Sequence, residues 1–390
     1  MSKSSEFDFV VYGATGFTGK LVVEYLQAKY SDNNEINWAM AGRSLEKLNQ
    51  VKTDLGVSNS VKILEVNSND QASIEKMMEM TDCVLTTVGP YQLYGNEIVK
   101  SCAETGTDYV DLCGEPGWMH EIISKYNDKA KETGARIVFS CGFDSIPFDL
   151  GVLFLQDEVK KQTGRTSNKV RARVRVMEGE FSGGTAASFG ATMASLKTNP
   201  ELFSILGNPF SLSEGFQGPQ QENDSKPVFD EALGVWVAPF FMAPINTKNV
   251  HRSNMLQNHS HGEDFLYNEM RVAGPGEEDE QVAKMMATAN PMSGDDVPKP
   301  GEGPSKESRE AGNYDVLFCA DIEGSVISTS VTGDMDPGYG STSKMIAESA
   351  ICLVKDSAEL KGGIYTPASS MGSKLIKRLV DNAGLTFNVE

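Results

Sequence analysis

The sequence predicts an α/β fold, a doubly wound parallel sheet followed by a second, α+β domain. Three observations carry that expectation. Six short apolar runs alternate with helix-like stretches across residues 7–155. Those runs are continuously apolar, as strands are when helices cover both faces of a sheet. From residue 168 on, longer alternating runs take over, separated by stretches rich in glycine, proline and asparagine, which marks a second architecture.

The elements follow in order. Phe7–Tyr12 reads as a strand, and Lys20–Tyr30 as a helix with Leu21, Tyr25 and Ala28 on one side. Ile36–Ala41 and Val61–Val66 are strands on either side of a helix over Leu45–Leu55. Ala72–Met80 is a helix, because Ile74, Met77 and Met78 recur at helical spacing. Cys83–Val88, Asp108–Leu112 and Arg136–Cys141 complete the strands, with helices at Glu97–Thr105, Trp118–Thr133 and Leu150–Val159. In the second domain the expected strands are Asn168–Met177, Val235–Val237, Phe265–Val272, Tyr314–Ala320 and Ser325–Thr332, the last two antiparallel. The expected helices are Gly184–Leu196, Glu277–Ala289 with Val282, Met285 and Met286 on one face, Thr342–Leu353 and Ser370–Asp381. Residues 198–232 read as an excursion or lid, and Asn290–Gly312, with four prolines, as an exposed loop. The expected division is 1–150 for the first domain and 151–355 for the second, with 356–390 closing back on the cleft between them.

Composition narrows the function. A chain of 390 residues with 39% hydrophobic content buries a real core, and two domains are the default at this length. Asp plus Glu outnumber Lys plus Arg by 54 to 35, a net charge of −19. Nucleic acid is thereby excluded as a partner, since phosphate contacts need a basic surface. Phe9–Tyr12 is too short and too early for a secretion signal, and no window approaches the roughly 20 apolar residues of a membrane span. Six cysteines without a Cys-x-x-Cys pair point to a reducing, cytoplasmic setting. His259 and His261 look like half a metal site, but no third ligand arrives at usable spacing, so no metal is expected.

The sharpest motif is Gly13-Ala14-Thr15-Gly16-Phe17-Thr18-Gly19, between the first strand and the first helix. That context makes a dinucleotide-binding, Rossmann-type loop. Gly13 permits the tight turn, Gly16 lets a pyrophosphate approach the backbone, and Gly19 lets the helix lie close to the sheet. Free N–H groups at the helix start serve the anion, with Thr15, Phe17 and Thr18 around them. The second strand ends in Arg43-Ser44, where an NAD site usually carries an acid. Arg43 suits a 2′-phosphate, Ser44 adds a donor and Lys47 adds charge one turn on, so NADP(H) is the expected cofactor. Ser44 serves equally as a helix cap.

Val88-Gly89-Pro90-Tyr91 follows the fourth strand, near the switch point of the sheet. Gly89 and Pro90 are expected beside the cofactor, and Tyr91 and Tyr94 are candidate donors. Asp111 and Glu115 follow the fifth strand, as substrate ligands or as caps and packing. Cys141-Gly142-Phe143-Asp144-Ser145 follows the sixth; Cys113 and Cys141 sit at strand ends where either would line the cleft, and Cys141 is grouped with the cofactor residues. Asp144 and, from the second domain, Tyr339 complete the candidate catalytic set. Lys169, Arg171, Arg173 and Arg175 share one face of a strand, either as a basic stripe for an acidic ligand, carrier or partner subunit, or as a solvated face with acidic neighbours.

Taken together, Gly13–Gly19, Ala41–Ser44, Val88–Tyr91, Tyr109–Glu115 and Cys141–Gly151, with Gly183–Thr185, Gly338–Thr342 and Gly363–Ala368, resemble the saccharopine-dehydrogenase-like oxidoreductases, nearest the trans-acting enoyl reductase branch. The resemblance implies an NADP-type Rossmann domain, an α+β domain and a ligand cleft between them. It implies hydride transfer from NADPH to an unsaturated acyl or lipid-like substrate, carrier-bound in that branch. Reduction of an imine or keto substrate, and a non-catalytic NADP-binding scaffold associated with lipid, stay open as alternatives. No Lys–His catalytic pair is evident. The apolar segment Trp236, Phe240, Phe241, Met242 is expected either to meet a long substrate or to pack as core or dimer contact. A homodimer formed through the second domain, at most peripheral to lipid, is also expected.

Overall fold

The computed structural model describes residues 5–31, 35–276, 278–289, 298–299 and 301–390. Its first sheet contains β1 (Phe7–Tyr12), β2 (Trp38–Gly42), β3 (Lys62–Glu65), β4 (Thr81–Thr86), β5 (Asp108–Val110) and β6 (Arg136–Val138), all parallel, in the order β3-β2-β1-β4-β5-β6. The order reverses between β1 and β4, and open parallel sheets bind ligands outside the carboxyl ends of the strands at that point. Tyr12 closes β1 opposite Ala41 of β2 and Thr86 of β4, so the three loops after these strands emerge side by side.

The second sheet is mixed. It holds β7 (Lys169–Glu178), β8 (Val228–Asp230), β9 (Val235–Pro239), β10 (Leu266–Gly274), β11 (Asn313–Ile322) and β12 (Ser325–Gly333). β7 and β10 run parallel, and the other pairs are antiparallel. The last segment contributes to both sheets. β13 (Gly363–Tyr365) pairs in parallel with β6, and β14 (Leu385–Val389) pairs antiparallel with β12. Tying the halves further, helix Thr342–Ile351 packs on helix Phe17–Tyr30, where buried Glu348 accepts from Tyr25 at 2.7 Å and Tyr30 at 2.5 Å.

Several expectations change in detail. The first helix starts at Phe17, because Gly16 in extended backbone is its N-cap. It buries Val22, Val23, Leu26 and Tyr30, and Ala28 is exposed. Helix Asp279–Thr288 turns Val282 and Met285 to solvent and buries Ala283, the small residue that lets it lie close on β9 and β10. The 290–312 stretch is not wholly a loop: residues 290–297 and 300 lie outside the described residues, but Lys306–Ala311 is a helix with Arg309 buried and donating to the Pro304 carbonyl at 2.7 Å.

A long helix, Ala243–Leu256, lies where the sequence offers no helical apolar period. It buries Asn246, Lys248, Asn249, His251, Arg252 and Ser253. Such burial is tolerable only with partners. Lys248 donates to the carbonyls of Leu206 at 2.8 Å and Pro244 at 3.0 Å, Arg252 donates to that of Ile364 at 2.6 Å, and Asn246 donates to Glu269 at 2.7 Å.

Among the described residues no helix is long and apolar enough to cross a membrane, and no cluster of His, Cys, Asp and Glu could hold a metal. All six cysteines are buried, and none forms a disulfide.

Candidate cofactor cleft and proton donor

The glycine loop is shaped by what its residues lack. Gly13 adopts φ +93°, and a Cβ there would meet Val88 Cγ2 at 2.7 Å. A Cβ on Gly19 would lie 2.1 Å from the Gly13 carbonyl oxygen, so only glycine allows this approach. Gly16 donates to the Gly13 carbonyl at 2.9 Å and is exposed. It caps the helix without a side chain, so the first-turn N–H groups of Phe17, Thr18 and Gly19 have no intrahelical acceptor. Thr15 and Thr18 sit half-buried beside them. This is a cradle for a pyrophosphate.

The Phe17 side chain serves another purpose. Its ring meets Tyr339 edge-on at 5.3 Å and lies 5.8 Å from the Arg309 guanidinium, and a Cβ on Gly303 would reach it at 2.5 Å. Phe17 is thus a rivet between the sheets, and only its main chain faces the cradle.

At the end of β2, Arg43 is exposed and makes no ion pair or side-chain hydrogen bond among the described residues. Ser44 caps helix Leu45–Asp54, its hydroxyl accepting the Lys47 N–H at 3.3 Å. A guanidinium one strand from the cradle, with no partner among the described residues, fits a 2′-phosphorylated dinucleotide.

The loop after β4 carries the cis Gly89–Pro90 peptide and a four-residue helix, Tyr91–Tyr94. Glu115, at the tip beyond β5, holds it. One carboxylate oxygen accepts the Tyr91 N–H at 2.9 Å, and the other accepts the Gln92 N–H and Gln92 Nε2, both at 3.0 Å. Asp111 holds the neighbouring tips, accepting the N–H groups of Cys113 and Ser140 at 2.9 Å each. Both acids are therefore internal acceptors; burial pushes Asp111 up to about 7.

Three of the sequence candidates are engaged elsewhere. Tyr91 is buried; its hydroxyl accepts from Leu112 N–H at 3.1 Å and donates to the Thr86 carbonyl at 3.3 Å, and burial raises its pKa well above the usual value. Its hydroxyl is thus engaged within the fold by Leu112 and Thr86. Tyr339 is 5% exposed, its hydroxyl bound to the Ser182 N–H at 2.5 Å and to Thr185 Oγ1 at 2.7 Å. Cys141 is fully buried with its sulfur turned to the carbonyls of Val138 and Phe139. Its side chain does not line the cleft, because the loop turns immediately as Cys141 N–H donates to Asp111 O at 2.7 Å. Cys113 is equally buried, and Tyr94 is 44% exposed on the outer end of its short helix.

Asp144 differs from all of these. Its carboxylate rests over Gly114, where a Cβ would come within 2.9 Å of Oδ2. Among the described residues nothing donates a hydrogen bond to it and no cation pairs with it. Desolvation alone raises it to about 7. A carboxyl that keeps its proton near neutrality can serve as a general acid where a substrate reaches it.

The β7 stripe is not a ligand site. Arg171 and Arg173 are buried and share Asp230, at 2.7 and 2.8 Å; Arg175 pairs with Asp315 and Glu390, and Lys169 with Glu222. The expected solvated face with acidic neighbours holds for the acids but not for the solvent at Arg171 and Arg173. Phe240 is 3% exposed and packs on Phe148, so it belongs to the core, whereas Phe241 is 42% exposed beside Phe181. Gln92 escaped the sequence reading. Beyond Glu115, its amide reaches Thr192 Oγ1 at 3.3 Å and accepts from Ser195 Oγ at 2.7 Å on helix Gly183–Thr198; no motif marks such a bridge.

Comparison with known proteins identifies the family. Residues 9–138 match the saccharopine dehydrogenase NADP binding domain. A Mycobacterium tuberculosis protein that carries the name of a trans-acting enoyl reductase is 37% identical over 96% of this chain and 95% of its own length. A trans-acting enoyl reductase of Mycobacterium ulcerans is 33% identical over 97% and 96%. Among solved structures, apo saccharopine dehydrogenase (L-Glu forming) of Saccharomyces cerevisiae superposes with a TM-score of 0.53 at 13% identity, over 98% of this chain and 100% of its own. The homospermidine synthase of Legionella pneumophila gives 0.53 at 12%, over 99% and 92%. These two likenesses show the two-domain fold. The chain belongs to the saccharopine-dehydrogenase-like oxidoreductases, in their trans-acting enoyl reductase branch, and is an NADP(H)-dependent enzyme.

Proposed function

We propose that the enzyme reduces the carbon–carbon double bond of an enoyl thioester, with Asp144 as the proton donor. One observation carries the assignment: the partnerless Asp144 carboxyl, raised to about 7, beside Gly114 in the cleft. NADPH, when bound, supplies a hydride, which adds at the β carbon. The chain provides the rest. The cradle at Gly13–Gly19 and the guanidinium of Arg43 hold the dinucleotide, with Gly89 and Pro90 beside it. Phe143, packed on Phe148 and Tyr314, anchors the loop that carries Asp144. Asp144 delivers its proton to the α carbon, so the product gains two hydrogens.

Reduction of an amino-acid–keto-acid adduct is less well supported. A multiply charged substrate needs basic clamps, and the β7 arginines that would supply them are consumed by Asp230, Asp315 and Glu390. The acyl group is long or bulky, the substrate is presented free or on a carrier, and the enzyme works as a cytoplasmic homodimer. Phe241, exposed beside Phe181, supports an apolar ligand better than buried Phe240 does.

NADPH oxidation against enoyl thioesters of several lengths, cyclic imines and keto acids with lysine tests the reading. A product heavier by two hydrogens from an enoyl substrate is expected, with one deuterium from D2O at the α carbon. Turnover confined to keto acid plus lysine would overturn it.

A further inference from the structure

Helix Gly183–Thr198 is built inside out. Its inner face carries Thr185, Ser188, Thr192 and Ser195: Thr185 meets the Tyr339 hydroxyl of its own domain at 2.7 Å, while toward the first domain Ser188 Oγ lies 3.6 Å from where a Gly89 Cβ would stand and Thr192 and Ser195 meet Gln92. Its outer face carries Phe189, 45% exposed, and Met193, 40% exposed, and only Gly183 and Leu196 along its length are buried. Apolar packing, which holds most surface helices, contributes little here, so hydrogen bonds must set where the helix sits. Gln92 supplies two of them. The same side chain is clamped by Glu115, which also fixes the main chain of Tyr91 and Gln92 directly after Pro90.

From this we infer that Gln92 is a positioning residue, a latch whose amide couples the loop at Gly89–Pro90 to helix Gly183–Thr198 of the second domain. The amide is suited to the task because it offers an acceptor and a donor at once. Nε2 gives its hydrogens to Glu115 and Thr192, while Oε1 receives one from Ser195. A loop placed against the helix fixes the width of the cleft at the position where the reacting part of the cofactor is expected, and reaction rates are sensitive to such placement. The inference rests on the reductase reading for its effect on turnover, but the latch itself is a matter of structure.

Hydrogen–deuterium exchange across the whole chain, with and without NADPH, reads the latch directly. Gln92→Ala removes it from the loop side, and Thr192→Ala combined with Ser195→Ala removes it from the helix side. In both variants the amides of residues 185–198 should exchange about tenfold faster, with those of β1 and β4 unchanged; tenfold corresponds to about 1.4 kcal/mol. NADPH affinity should stay within about twofold while kcat falls by about tenfold and KM moves little. Unchanged exchange in residues 185–198 would overturn the latch whatever the turnover, and so would acceleration spread evenly over both sheets, which would make Gln92 merely structural. An enzyme that reduces no enoyl thioester but shows the local exchange effect would instead retire the reading of the reaction and leave the latch standing.

Discussion

The rim of the cofactor cleft and the centre of the second sheet use charge in opposite ways. On the rim, Arg43 and Asp144 have no ion-pair or side-chain hydrogen-bond partner among the described residues. In β7, Arg171 and Arg173 are buried and share the counter-charge of Asp230, with Arg171 also reaching Asp321 at 2.7 Å. Written as sequence, Arg43 and Arg173 are the same residue at the same kind of place, in or just after a strand. What separates a ligand-binding charge from a scaffolding one is whether the fold supplies its counter-charge. The rim leaves that place for the ligand.

The strongest way to break the contrast is to neutralise the free acid. Asp144→Asn should lower kcat by roughly 10²–10⁴-fold, the usual worth of a positioned general acid, with little change in thermal stability. The wild type should also show a pH limb. A raised pKa means Asp144 keeps its proton below about 7 and loses it above, so kcat should fall as pH rises through 7. Tyr339 and Cys113 are its titratable neighbours, and both are held toward their neutral forms by burial. A limb that survives in the variant would assign it to another group.

Asp230→Ala turns the second region toward the first, leaving buried Arg173 without a counter-charge and Arg171 with Asp321 alone. Breaking a buried pair from one side costs about 3–5 kcal/mol. Urea unfolding should show that loss, and a loss under about 1 kcal/mol would mean that water reaches the arginines. Arg43→Ala should do the converse. A lost charge-assisted contact is worth about 1.5–3 kcal/mol, so NADPH should bind at least roughly tenfold more weakly, NADH within about twofold, and the unfolding midpoint should not move. Equal effects on both nucleotides would remove Arg43 from the 2′-phosphate.

The finest test gives Arg43 a partner. Ser44→Asp keeps a good helix cap while placing a carboxylate beside the guanidinium. NADPH should weaken several-fold and NADH should not, with stability within about 0.5 kcal/mol of the wild type. A variant that still prefers NADPH as strongly would show that Arg43 is not the discriminating charge.

The difference between the regions also explains what could be read from the chain. The glycine loop is legible because its constraints are local: Gly13 needs its φ of +93° and Gly19 its bare backbone within a single turn. The first sheet is legible because its strands are short, apolar and regularly spaced. Helix Ala243–Leu256 is not, since its buried face is Asn246, Asn249, Arg252 and Ser253, which look like surface until Glu269, Ser145 and the Ile364 carbonyl are brought to them. Tyr91 and Tyr339 misled for the matching reason. A tyrosine after a strand promises a hydroxyl in the cleft, and only the fold reveals that Leu112, Thr86, Ser182 and Thr185 have claimed both. Asp144 is a candidate from its place in a punctuated loop, but its lack of partners among the described residues is visible only in three dimensions.

The late strand Gly363–Tyr365 pairs with Arg136–Val138, and this sets a schedule for biosynthesis. Ribosomes add roughly 5–20 residues per second, so β6 emerges and then waits on the order of ten seconds to a minute for its neighbour. Throughout that interval the nascent polypeptide displays an unpaired parallel edge, a template on which another chain can grow. The seventh strand therefore ends a period of chaperone dependence, and expression tuned to fast folding of the first 150 residues alone should yield aggregates rather than a free cofactor domain.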